Sequence, residues 1–228
     1  MRDVETLSNR IQLWASETPD HVAIESFRGP ALTYRDLDRA IDSRVAVFAA
    51  AGATSGSRVL LEAARSRFFV IDLLACWRIG ASAVLMDPAR SADAAATILG
   101  ILGSFVDARR IPVSSGVRDD ERDRPPRHEP RTDDEAYVCF TSGSTGAPKG
   151  VRISYRGLPE LWANQAAAFG AGRTSRTSWL LAAHFDASIS DIGVPLWVGG
   201  TLVILPETSQ ANALEFVEAA RLTHVDLP

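Results

Sequence analysis

The sequence predicts an α/β fold of stacked layers with mostly parallel sheets. Apolar strand-like runs alternate with helix-period segments along the chain. Helices rather than tight turns separate most of the strands, so crossover connections join them, as parallel pairing requires. The 228 residues are 46% hydrophobic and 23% charged, which is a globular composition large enough to bury a sizeable core.

The elements follow in order. Leu7, Ile11 and Trp14 recur at helical spacing until Pro19-Asp20 ends the pattern. "HVAIES" is a short strand and "RGP" a turn. Thr33 is placed as N-cap of a helix whose apolar face carries Leu37, Ile41, Val45 and Phe48, with Gly52 closing it. "SRVLLEA" is a strand, "SRFFVIDLLACWRIG" an apolar helix with Gly80 near its C-cap, and "ASAVLMDP" a buried strand ending at Asp87-Pro88. An Ala-rich helix occupies 91–105. The run 107–135 is crowded with charges of both signs and holds Pro112, Pro125, Pro126 and Pro130, which predicts a mobile surface connection. It divides the chain into a first α/β segment, 1–106, and a second, 136–228. The second reads strand "AYVCF", a Gly-rich loop, helix "LPELWANQAAAFG", strand "SWLLAA", helix "ISDIGVPLWVGG", strand "TLVILP" and helix "NALEFVEAARL". "HVDLP" begins one more strand, so the predicted fold is incomplete.

The formal net charge of −4 argues against a broad nucleic-acid or anionic-membrane surface, and acids interleave with bases in the charged run. Cys76 and Cys139 sit in apolar runs and read as buried thiols, not as a disulfide framework or a zinc site; no metal ligand is assigned. The N-terminus lacks the apolar core of a signal peptide and no stretch is apolar enough to span a bilayer, which points to the cytoplasm.

The chemistry concentrates in "TSGSTGAPKG", residues 141–150. Thr141, Ser142, Ser144 and Thr145 supply hydroxyls among Gly143, Gly146 and Gly150, and glycine lets backbone N–H groups turn toward one anion. Lys149 is the chain's one lysine among 24 basic residues. A compact ammonium suits a phosphate chain where a planar guanidinium would not substitute. A Walker loop is excluded, because Pro148 precedes Lys149 and Gly150 follows it; the dinucleotide fingerprint fails on its glycine spacing.

"YVCFTSGSTGAPKGV" resembles the phosphate-binding loop of the adenylate-forming enzymes, which include acyl-CoA synthetases, luciferases and nonribosomal peptide synthetase adenylation domains. "LTYRDLDRA", "CWRIGASAVLMDP" and "HFDASISDIGVPLWVGGTLVIL" resemble further motifs of that family, in the family's order. The resemblance spans nearly the whole chain and implies the N-terminal portion of the family's large domain. It assigns Thr141, Ser142, Gly143, Ser144, Thr145, Gly146 and Lys149 to the phosphates of ATP. Within "FDAS" it assigns Asp186 to the α-ammonium of an amino-acid substrate, with Ala187 and Ser190 lining the side-chain pocket. Asp186 could equally cap the following helix. His184 is open between a substrate contact and a core histidine.

The implied reaction joins an amino acid to AMP, with pyrophosphate leaving, and then loads a peptidyl carrier protein. Mg²⁺ is implied, but the family's metal-binding Glu, its adenine and ribose contacts and its C-terminal lysine lie beyond Pro228. Tyr155 stands where the family usually has His. Three expectations remain: a half that works with a complementary half or self-associates, an inactive scaffold module, or a stand-alone nucleotide-binding protein.

Overall fold

The computed structural model describes residues 5–111, 128, 130–142, 148–206 and 213–224. Most of the charged connection (112–127 and 129), the loop tip 143–147 and the last residues of the final predicted strand (225–228) lie outside the described residues.

The described residues form two sheets. β1 (Val22–Ser26), β2 (Ala31–Thr33), β8 (Arg176–Trp179) and β9 (Thr201–Ile204) make one, in the order β2-β1-β9-β8. β3 (Arg58–Glu62), β4 (Ser82–Met86), β5 (Val106–Asp107), β6 (Glu135–Ser142) and β7 (Pro148–Ser154) make the other, in the order β5-β3-β4-β6-β7. The helices are α1 (Leu7–Glu17), α2 (Tyr34–Ala50), α3 (Arg67–Ile79), α4 (Ala92–Leu102), α5 (Leu158–Phe169), α6 (Ala187–Trp197) and α7 (Ala213–Ala219). All strand pairs are parallel except β1–β2 and β6–β7. His224 adds one parallel bridge to Thr177, where the sequence places the start of a strand.

The strand side chains alternate between two apolar environments, so the strands read as continuous hydrophobic runs. Val59, Leu61, Ala83, Leu85, Tyr137 and Cys139 join the main core with α1, α2, α3, α5 and α6, as do Leu202 and Ile204 of the other sheet. The opposite faces pack outward. Leu60, Val84, Met86, Val138 and Phe140 meet Ile98 and Leu102 of α4, and Val203 clusters with Leu205, Ala220 and Leu222 around the end of α7. The result is five layers, helix, sheet, helices, sheet, helix.

β2, β5 and β7 are strands the sequence does not announce; β5, paired to β3, and the 3₁₀ turn Ala108–Arg110 give order to the start of the run read as a mobile connection. β2 is three residues long and β7, "PKGVRIS", starts on Pro, carries Gly and is largely exposed, so neither shows a strand-like apolar pattern. Thr33 does cap α2, in a reciprocal capping box with Asp36, and Gly80 closes α3 at φ +76°.

The central helices are joined through charge. Arg78 of α3 is 1% exposed. It donates to Ser8 Oγ of α1 (2.9 Å), to the Asp38 carbonyl (3.1 Å) and to the carboxylates of Asp38 and Asp42 of α2 (2.7 Å each). Arg44 adds a bidentate pair from α2 to Asp72 of α3, at 2.6 and 3.1 Å. Removing one member of such a cluster strands the opposite charge, so Arg78→Ala should cost about 3–5 kcal/mol, read as a lower denaturant midpoint.

Glu135 opens β6 and accepts a bidentate pair from Arg58 (2.9 and 3.0 Å) and a further bond from Arg152. Burial pushes its carboxyl up, but the hydrogen bonds from Arg58, Ser82 and Arg152 outweigh that and bring it down to about 2. The fold therefore favours the ionised form. That contribution is complete above the usual value of 4.5 and is lost as pH falls toward about 2. Glu135→Gln should flatten the pH dependence of stability across that acid window, measured by thermal unfolding from pH 5 to pH 2.

Candidate functional site

Parallel sheets present their binding groups at the carboxyl ends of the strands. The hairpin β6–β7 brings Thr141 opposite Lys149 and Ser142 opposite Pro148, its last described pairs before the tip. Thr141 and Lys149 are both exposed, and directly paired residues project from the same face of a hairpin. Gly150 pairs with Phe140, and a Cβ built there would lie 3.1 Å from the Phe140 ring. The glycine after Lys149 thus makes room for the ring beneath the loop. Gly143, Ser144, Thr145 and Gly146 lie outside the described residues.

By the period of two, Thr141 continues the face of Tyr137 and Cys139. Burial pushes both of those groups up, and the negative charge of Asp186 adds to each shift. Asp186 therefore lies within electrostatic reach of that face of β6. Lys149 and Asp186, 37 residues apart in the chain, are brought to one region by the packing of α6 against the helix layer.

Asp186 is exposed and stands at the N-cap of α6, its Oδ1 accepting from the Ala187 N–H at 2.8 Å. The capping reading of the sequence is thus realised. The second carboxylate oxygen is not engaged by that bond, so capping and ligand binding are compatible. Ala187 and Ser190 lie on the same helical face by spacing. Ala187 is exposed; Ser190 is half-buried and borders a cavity of about 290 Å³ with Gln165, Phe169, Thr177, Val194 and His224. His184 is half-buried, its Nδ1 3.7 Å from Asp87 Oδ1 and its ring 4.4 Å from that of Phe185. The Asp-Pro turn after β4 thus meets the segment before α6. Tyr155 is buried among core aromatics, its ring edge-on to Trp77 at 6.2 Å, and burial pushes its hydroxyl well up.

A second cavity, of about 710 Å³, lies at the opposite end of the same sheet, bordered by Arg58, Ser82 and Glu135, the first residues of β3, β4 and β6. Among the described residues, none of the ligand-binding candidates read from the sequence borders it. Among the described residues no group of three or more His, Cys, Asp or Glu could hold a metal ion, and no helix is long and apolar enough to cross a membrane.

Two residues of "FDASISD" carry structure that the sequence reading passed over. Ser188 is fully buried and its hydroxyl donates to the carbonyls of Phe185 (2.7 Å) and Ala183 (3.2 Å). Asp191 is 2% exposed and its Oδ2 accepts from the N–H groups of Leu180 and Leu181, both at 3.3 Å. The sequence shows only a serine and an aspartate within an apolar helical run; their burial and partners come from the fold.

The chain matches the model of the family described as AMP-binding enzyme over residues 11–228. It is 33% identical over 218 residues to malformin synthetase mlfA of Aspergillus brasiliensis, which covers 88% of this chain and 4% of that protein. It is 32% identical over 226 residues to malpibaldin synthetase of Mortierella alpina, covering 92% and 4%. Among solved structures it is similar to the N-terminal subdomain of Klebsiella oxytoca NpsA in complex with 3-hydroxybenzoyl-AMSN, with a TM-score of 0.81, 23% identity and coverage of 97% of this chain and 59% of that one. The AMPPNP-bound form of the nonribosomal peptide synthetase FmoA3 gives a TM-score of 0.82 at 23% identity, covering 96% of this chain and 25% of that one. The chain thus spans a small part of the synthetases and about three fifths of the solved subdomain.

Ser188→Ala should lower stability by about 1–2 kcal/mol, since two carbonyls lose a buried donor. Urea unfolding followed by the tryptophan signal checks it.

Proposed function

Because the chain belongs to the AMP-binding enzyme family and corresponds to the N-terminal part of a nonribosomal peptide synthetase adenylation domain, we propose that it grips ATP and an amino acid for aminoacyl-adenylate formation. One observation carries this reading: Asp186, in the segment that Asp87 and Arg65 tie to the connections of the five-stranded sheet, lies within electrostatic reach of the β6 face whose end bears Thr141 and, across the hairpin, Lys149. A cation for phosphate and an anion for an ammonium thus share one side of the site.

In the proposed reaction an oxygen of the amino-acid carboxylate bonds to the α-phosphorus of ATP. The bond from that phosphorus to the bridging oxygen breaks, and pyrophosphate leaves with the electron pair. Two anions have to approach, so phosphate charge must be neutralised and the reactants held in line. Lys149, Thr141, Ser142, Ser144, Thr145 and the backbone at Gly143 and Gly146 hold the β- and γ-phosphates. Asp186 holds the α-ammonium, and Ala187 and Ser190 leave that wall of the side-chain pocket open and slightly polar. His184, 3.7 Å from Asp87, lies two residues before Asp186 in the same segment, where it can approach the substrate carboxylate or phosphate. Mg²⁺, when bound, supplies further neutralisation of the phosphates. Its protein ligand, with the adenine and ribose contacts, comes from a complementary portion of the domain. The aminoacyl group then passes to the thiol of a peptidyl carrier protein. Consumption of ATP supports a cytoplasmic setting.

Amino-acid-dependent ATP–pyrophosphate exchange by the chain together with its complementary portion tests the proposal. Lys149→Ala should reduce exchange by about 10²-fold, the loss expected for one preorganised phosphate contact. Asp186→Asn should raise the KM for the amino acid about tenfold or more and leave the KM for ATP unchanged. Absence of exchange from the wild-type pair, with no ATP binding by calorimetry, would favour the scaffold reading instead.

A further inference from the structure

We propose that Asp191 is a positioning residue for the amine anchor, acting through the backbone of Leu180 and Leu181; this rests on the reading of Asp186 given above. The segment 180–186 runs from the carboxyl end of β8 to the first turn of α6 and carries both His184 and Asp186. Asp191, one turn into α6, holds its start: a single carboxylate oxygen receives the N–H groups of Leu180 and Leu181, both at 3.3 Å. From the other side, Arg65 in the connection between β3 and α3 donates to the Leu180 carbonyl. The peptide group after β8 is therefore held by α6 through Asp191 and by the five-stranded sheet's own connection through Arg65.

The far end of the segment is tied separately. The Ser188 hydroxyl holds the carbonyls of Ala183 and Phe185, and the Phe185 N–H donates to the Ala182 carbonyl at 3.0 Å. With both ends fixed, the position of Asp186 relative to β6 is set by Asp191 at one side and by Arg65 at the other. A carboxylate that is 2% exposed is a costly device if packing were its purpose, since an apolar residue fills the same volume without desolvation. Its use here is to aim the segment that bears the ammonium anchor.

Two variants and two measurements test this. Amide hydrogen exchange on the chain alone should show Asp191→Ala raising the exchange of Leu180 and Leu181 about tenfold, the effect of losing roughly one hydrogen bond per amide, while amides of β9 stay protected. Asp191→Asn keeps one acceptor oxygen and should lie between the two. In the pyrophosphate-exchange assay with the complementary portion, Asp191→Ala should raise the amino-acid KM about tenfold, with the ATP KM and kcat little changed. Unchanged protection of Leu180 and Leu181, or a uniform loosening of every amide, overturns the clamp. Loosened amides with an unaltered amino-acid KM overturn its link to Asp186. If Asp191→Ala does not fold, Asp191→Asn decides: an intermediate loss of protection supports the clamp and wild-type protection overturns it. If the wild-type pair shows no exchange, the adenylation reading falls, and with it the role assigned to Asp191; protection then reports on the clamp alone.

Discussion

The buried guanidinium of Arg78 is the contact on which the rest of the architecture depends. Each sheet has two apolar faces, so each must be covered on both sides. The layer between them is made by helices that come from different parts of the chain. Arg78 fixes three of these together, because its donors are divided between α1 and α2 while its own backbone belongs to α3. A guanidinium has five donors in a rigid plane, so it sets the angles among its partners as well as their distances. The apolar contacts around it are broader and carry more energy, but they are less directional. Without this junction the two sheets would still have apolar faces to bury, but α1 would lose its directional tie to α2 and α3, which would remain joined by the Arg44–Asp72 pair.

That register decides where the site lies. β6 belongs to one sheet, and the segment carrying His184 and Asp186 leaves the other. They meet at the carboxyl ends of their strands, on the same side of the helix layer. The Asp87–His184 contact and the bond from Arg65 to the Leu180 carbonyl cross the same gap. The larger cavity, at the amino ends, is lined by charges that already satisfy one another through Arg58, Glu135 and Arg152. Volume alone points to this end of the sheet; the direction of the strands and the residues of the proposed site point to the other.

Much of the fold was legible because strands buried on both faces must be apolar throughout and helices on one face must be apolar at 3.6-residue spacing. "RVLLE", "SAVLM" and "TLVI" could hardly be anything else, and Thr33 with Asp36 announces a capped helix start. β2 and β7 escaped for a physical reason. Both are edge strands paired on one side, and an exposed edge does not require an apolar sequence. "PKGVRIS" is a strand because β6 offers it a partner. The loop chemistry was legible from residue types and order. Helix cap and ammonium anchor were legible for Asp186 only as two alternatives, and the structure shows the cap while leaving the second oxygen of the carboxylate outside that bond.

What the sequence by itself determined is the layered α/β character, the family to which the chain belongs and the residue types that suit a phosphate and an ammonium. These are local properties, set by periodicity, by glycine and hydroxyl content, and by which side chains carry charge. What only the tertiary structure decided is which of the described residues lie near one another, which cavity Ser190 borders, and what Ser188, Asp191 and Arg65 hold. Those depend on contacts between segments far apart in the chain, and no local pattern encodes them, because a buried carboxylate is recognised only once the groups that surround it are in place.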